Sequence, residues 1–209
     1  MLALATAAFS QTRPREPWVF RTAIKEATFP SEQGDRLVAV LLASGFTALY
    51  STVKGGLYMT RTGTAQDGNV TYGHRQDGSV LTFSGGAVLH RNNPQGGVWE
   101  LMNGGSPVSS QNVYKGYTLS GNSVTLRYEV IAGSATVKVS ETPEYAGGGI
   151  RRTIKVEGLP PGQSIRLRLS GQVSGNESWA VQSGGTLAGS NPQYLSISAD
   201  GTAVLTGNW

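Results

Sequence analysis

Apolar and polar residues alternate with a period of two through much of the second half of the chain. The run Val124-Thr125-Leu126-Arg127-Tyr128-Glu129-Val130 alternates strictly, and so do Ala135-Thr136-Val137-Lys138-Val139, Ile154-Lys155-Val156 and Ile165-Arg166-Leu167-Arg168-Leu169. Successive side chains of a strand point to opposite faces, so this pattern predicts strands with one buried and one wetted face. No segment of helical length shows a comparable 3.6-residue period. Leu37 to Ala43 is apolar throughout, which fits a strand buried on both faces or a short buried helix. Its flanks, Gly34-Asp35 and Ser44-Gly45, favour the strand.

Turn residues punctuate these segments. Asp67-Gly68, Asp77-Gly78 and Asp200-Gly201 suit tight hairpins, because glycine adopts positive φ without steric cost. Gly121-Asn122 and Gly133-Ser134 are softer versions, and Pro160-Pro161-Gly162 is a strong turn between the strands ending at Val156 and starting at Ile165. The rhythm predicts about 14–16 strands in an all-β chain, a large two-sheet antiparallel β-sandwich. Residues 104–112 are the best candidate for a mobile loop, followed by 183–193 and 145–149. The expected organisation is an apolar N-terminal segment over 1–10, a polar, proline-marked linker over 11–17 and one sandwich domain over 18–209.

Composition narrows the chemistry. The 209 residues include no cysteine, which excludes disulfides, thiolate metal sites, iron–sulfur ligation and a cysteine nucleophile. The 29 glycines carry no period and fit frequent turns. A formal net charge of +4 favours acidic partners, but it is too small and dispersed to point to nucleic acid.

Residues Met1 to Ser10 resemble the apolar core and small-residue end of a secretory signal, so export to a periplasmic or extracellular compartment is expected. Cleavage would fall between Ser10 and Gln11. If retained, ten apolar residues are too few to span a bilayer, which takes about 20. They could lie in a membrane interface or pack on a neighbouring subunit.

The candidates for catalysis are sparse. His74 and His90 have no ligand-spaced partner. Glu141 and Glu144 flank Pro143 and would suit a glycosidase only across a sugar cleft; the simpler expectation is a solvated strand end. A mutarotase-like or lyase-like site would need a histidine to converge with one of these glutamates. Nucleophile-elbow and phosphate-loop motifs are absent. No catalytic, cofactor-binding or metal-binding residue is assigned.

Two surface features remain. Arg127, Lys138, Arg151, Lys155, Arg166 and Arg168 occupy polar positions of the second-half strands. They would form a cationic docking stripe if those strands were neighbours, or an ordinary solvated face with Glu129 and Glu157 interleaved. Trp18, Trp99, Trp179 and Trp209 could stack on sugars or anchor an interface, although most large aromatics of a sandwich are core. Trp209 is the one least expected in the core.

Short motifs also carry a family likeness. These are Trp18-Val19-Phe20-Arg21, Tyr114-Lys115-Gly116-Tyr117, Arg152-Thr153 and Leu159-Pro160, set among strands over about residues 16–170. In this the chain resembles the β-rich domain attached to c-type cytochrome proteins of Planctomycetes, Bacteroidetes and related bacteria. The chain departs from that family in lacking a cysteine around residues 49–57 and in carrying no cytochrome module. The strand rhythm alone is also similar to the large sandwich of sugar mutarotases. The first resemblance implies a setting, an accessory subunit of a periplasmic or membrane redox assembly. With no catalytic signature and a net positive charge, the expectation is a non-catalytic exported module that docks on protein subunits of such an electron-transfer complex, with the membrane surface as a further contact of residues 1–10. The alternative is a carbohydrate-binding domain of a cell-surface system.

Overall fold

A computed structural model describes residues 18–24, 37–67, 79–92, 96–169 and 177–209. Met1–Ser10, the linker, His74 and the Asp77-Gly78 turn lie outside the described residues, as does the side chain of Trp18. Eighteen strands and no helix occur among the described residues. They form three sheets. The all-β, face-to-face antiparallel class is the one the alternation predicts. Its strands are distributed over three sheets because the first part of the chain closes on itself.

That first part contains β1 (Trp18–Ile24), β2 (Leu37–Ala43), β3 (Phe46–Ser51), β4 (Gly56–Thr62), β5 (Thr64–Asp67), β6 (Ser79–Ser84) and β7 (Val88–Arg91). Their order in the sheet is β5-β6-β1-β2-β3-β4-β7. The terminal strands of this order are chain continuations of inner ones. β4 runs into β5 through Gly63, and β6 into β7 through Gly85-Gly86, so the sheet curls into a ring. The ring is sealed by parallel pairing of β1 with β6, the one parallel pair among the described strands. Where the bent strands cross, their backbones nearly touch. Gly63 has φ +108°, and a Cβ there would lie 2.3 Å from the Gly85 carbonyl oxygen. A Cβ on Gly86 would lie 2.2 Å from that of Thr62. Only glycine permits this approach.

A closed ring has an inside and an outside, and both are dry here. Leu37, Ala39, Leu49, Tyr58 and Met59 cluster on the inside, with Ala65, Phe83 and Val88 packed against them. Val38, Val40, Ala48, Tyr50 and Leu57 face the main core. Hence β2 is apolar at every position.

The rest of the chain builds the other two sheets. The six-stranded sheet contains β10 (Gln111–Ser120), β11 (Ser123–Ala132), β12 (Ala135–Ala146), β13 (Gly149–Glu157), β18 (Gly201–Asn208) and β15 (Ser178–Ser183), paired in that order. The five-stranded sheet orders β16 (Thr186–Ala188), β17 (Tyr194–Ile197), β14 (Gln163–Arg168), β8 (Trp99–Asn103) and β9 (Ser106–Val108). The six-stranded sheet covers both neighbours: β12 packs across β2, and β11 across β8. One hydrophobic core unites side chains from all three sheets.

Residues 104–112 are more ordered than the composition suggests. They hold β9 and the start of β10, with only a two-residue turn, Gly104-Gly105, before them. Residues 183–193 likewise include β16, and 145–149 are the ends of β12 and β13 with their hairpin turn.

The three sheets are knitted at Trp99, which is fully buried. Its indole N–H donates to the Gly55 carbonyl in the β3–β4 turn at 2.7 Å. Its backbone N–H donates to Asn112 Oδ1 at 2.9 Å, and its carbonyl accepts from Asn112 Nδ2 at 3.0 Å. The Asn112 amide thus imitates one strand pairing and carries β10 onto β8. A Cβ on Gly97 would lie 2.3 Å from this amide, so a bare backbone is needed there. Replacing Asn112 by alanine orphans two buried backbone groups, each worth about 1–3 kcal/mol. Chemical denaturation of Asn112→Ala is therefore expected to show a loss of about 2–4 kcal/mol, with the far-ultraviolet spectrum of the folded state unchanged.

Candidate functional site

In β12, Glu141 falls in the inward series of Val137, Val139 and Pro143. In β13, Arg152 falls in that of Ile150, Ile154 and Val156. Both charged residues are closed off from solvent. Glu141 is therefore no solvated strand end: the period-two pattern places it inside. Arg152 Nε donates to Glu141 Oε1 at 2.7 Å, and the terminal Nη2 donates to Oε2 at 2.9 Å. From the ring, the Tyr50 hydroxyl donates to Glu141 Oε1 at 2.8 Å. This bidentate pair with a third donor is the arrangement that lets two charges survive burial.

The surroundings tune these groups. Burial, reinforced by the Glu141 charge, raises the Tyr50 and Tyr128 hydroxyls well above the ordinary tyrosine range. Burial works to lower the Arg152 guanidinium, but the charge and hydrogen bonds of Glu141 raise it on balance. Both tyrosines are thereby held in the neutral form and Arg152 in the charged form. The Tyr128 hydroxyl is buried without a hydrogen-bond partner among the described residues.

An aromatic stack leads from this centre to the surface. Arg152 lies over the Trp179 ring, 5.6 Å from its centroid. Trp179 Nε1 donates to Glu177 Oε1 at 2.6 Å, and the same oxygen lies 3.1 Å from His90 Nδ1. Edge-on contact joins His90 to Trp179, and Trp209 stacks on His90. Trp209 also stacks on Phe46, whose ring meets Tyr145 at 5.1 Å. Burial depresses the His90 pKa below its ordinary value of 6.5, while Glu177 opposes the shift. A neutral His90 beside Glu177 carries its proton on Nδ1.

This geometry separates the residues singled out by sequence. Glu141 and Glu144 lie on opposite faces of β12: Glu141 is sealed, while Glu144 is exposed and 4.0 Å from Arg151. His90 meets Glu177 and neither of these glutamates. His74 lies outside the described residues. Trp99 and Trp179 are core, and Trp209 is partly covered by Phe46 and His90, so none of them presents a bare ring for a sugar.

The six cations divide. Arg127, Lys138, Arg151 and Lys155 stand exposed on the outer face of the six-stranded sheet. There Lys138 is flanked in register by Glu129 and Glu157, and Lys155 pairs with Glu157 at 2.9 Å. Such exposed pairs contribute only about 0–1 kcal/mol. Arg166 and Arg168 belong to β14 in the other sheet. Arg166 is bound to Glu100 and covers Tyr194. The six do not form one stripe.

What converges is apolar. Hairpins at Ser44-Gly45, Gly121-Asn122 and Gly147-Gly148 and the end of β18 share one end of the molecule, marked by the Phe46–Tyr145 contact. Leu119 and Tyr145 pair across their hairpins with the buried Val124 and Ile150. They point to the inner side, yet they overhang the finished core and are 60% and 46% exposed. The sequence pattern names the right face for both, but it cannot tell that the facing layer stops short of them. Among the described residues the third exposed large apolar side chain, Val53, lies in the β3–β4 turn at the opposite end.

Two outcomes test the buried centre. Glu141→Gln leaves Arg152 buried without its counter-charge, so denaturation is expected to show a loss of about 3–5 kcal/mol. The paired replacement Glu141→Leu with Arg152→Met is expected to lose less than either single change, measured as a double-mutant cycle. The His90 contribution runs with pH. A depressed folded pKa means its stabilisation is full above the unfolded value of about 6.5 and is lost as pH falls towards the folded value. Denaturation midpoints measured from about pH 8 to 5 should fall in this range, and His90→Gln should flatten the fall.

No family model, curated protein or solved structure matches this chain.

Proposed function

We propose that this chain is a non-catalytic, exported accessory module that docks end-on against a larger periplasmic or membrane-associated assembly. One observation carries the reading. Leu119 and Tyr145 overhang the same end of the molecule at which the chain enters β1, where Trp18 pairs with Leu41 near the Ser44-Gly45 hairpin. The chain therefore enters β1 beside this exposed apolar rim.

The buried centre supports the same reading. Its two charges, Glu141 and Arg152, are closed off and bound to each other and to Tyr50, which suits a rigid support better than a reaction site. Trp209 and Phe46 back the rim and hold Tyr145 in place. The likeness to cytochrome-associated domains adds an envelope redox assembly as the setting.

The test is a photo-cross-linking residue at position 145 in the chain expressed in its own cells, with a matched residue at position 53. Cross-links at 145 to an envelope component in fixed stoichiometry, absent at 53, are the expected outcome. Cross-links at neither position, with the chain recovered free and soluble, would overturn end-on docking.

A further inference from the structure

We infer that the free edge of β10 takes up an extended, acidic segment of another protein as an added strand, with Arg127 as the residue that selects its charge. This contact runs along the side of the six-stranded sheet and goes beyond end-on docking. Four strands end the two open sheets. Of these, β9 and β16 have three residues each and β15 has six, whereas β10 has ten. Among the described residues β10 pairs with β11 alone, and its start is tied to β8 through Asn112. From Gly116 to Ser120 the ladder with β11 is regular, and no residue there is fully buried. The outward N–H and C=O groups of such an edge are a ready template for one more strand.

The side chains beside the edge define what the added strand must carry. Gly116 stands opposite Arg127 in register, and Arg127 Nη2 lies 3.9 Å from where a Gly116 Cβ would be. The guanidinium is thus laid towards the bare backbone of the edge strand, on the exposed outer face. No carboxylate shares its row, in which Ser140 and then Lys155 follow across the sheet. Glu129, the acid of β11, is engaged by Lys115 at 3.1 Å, which draws that lysine back from the edge. Among the described residues Arg127 has no ion-pair partner. A strand residue placed opposite Gly116 shares the outer face, and a carboxylate there completes a charge-assisted pair with Arg127. The residues on either side of it turn to the inner face. There they meet Tyr117, which is half-buried, and Leu119, which is 60% exposed and flanked by Val124 on its inward side. Alternating acidic and apolar residues suit both faces at once. A second copy of β10 does not, because two-fold pairing about this stretch sets Arg127 against Arg127, and like charges facing each other across strands repel.

The experiment uses the full chain and two short synthetic peptides, one alternating valine with glutamate and one alternating valine with lysine. Amide hydrogen exchange is followed residue by residue by NMR. Alternate amides of Gly116–Ser120 are expected to exchange fast in the free chain and to become protected by the glutamate peptide alone. Arg127→Glu should weaken that peptide about five- to tenfold and turn the preference towards lysine. Arg151→Glu, two strands further in on the same outer face, should change neither. Circular dichroism and thermal melts establish that both variants remain folded. Slow exchange of every β10 amide in the free chain would mean that the edge is already filled, and would overturn the proposal. Protection confined to other strands, no binding of the glutamate peptide, or a preference that Arg127→Glu leaves unchanged would do the same. Sedimentation showing a dimer whose formation protects the β10 amides would assign the edge to a second copy and overturn the acidic partner. End-on docking is tested at position 145 and stands or falls separately.

Discussion

The contact between Glu141, Arg152 and Tyr50 sets the terms for the rest of the molecule. Two full charges lie in a core built mostly of valine, leucine and isoleucine. Their desolvation is tolerable only while every strong donor and acceptor stays in place. Arg152 and Glu141 come from neighbouring strands of one sheet, whereas Tyr50 comes from the ring. The pair therefore orients the two layers as well as neutralising itself. A slip of one residue in either strand would turn a charge outward and an outer residue inward. This gives the β12–β13 register a penalty for error that an apolar core would lack.

The ring explains why the ion pair is so well sealed. Because β4–β5 and β6–β7 bend at glycines and close around their own small core, the outer wall of β2, β3 and β4 is free to serve the main core. The wall places Tyr50 at Glu141. A few residues further on, the β3–β4 turn presents the Gly55 carbonyl to the Trp99 indole. Asn112 then ties the third sheet to the second. The core is thus pinned by directed polar contacts at two places, one ionic and one neutral, with non-directional packing between them.

At the Phe46 end this order gives way to surface. The aromatic stack from Trp179 through His90, Trp209 and Phe46 to Tyr145 connects the sealed centre to the overhanging rim. Mounted on such a base, Tyr145 has little conformational freedom left to lose, which favours the docking proposed for this end. The sealed polar contacts of the interior and the open apolar groups of the rim are thus two ends of one packed series of side chains.

Strand identity and the buried face of each strand were legible in the alternation of residues 124–169, and the double burial of β2 was legible in its unbroken apolar run. Even the ion pair left a trace, since Glu141 and Arg152 each interrupt an inward apolar series. A single strand, however, does not say which other strand supplies the counter-charge. That depends on pairing across many residues, as does the remote contribution of Tyr50. The distribution of the six cations over two sheets, the closure of the ring and the exposure of Leu119 and Tyr145 were decided only in three dimensions. Local pattern reports which way a side chain points. Whether another layer reaches far enough to cover it is a property of the assembled sheets.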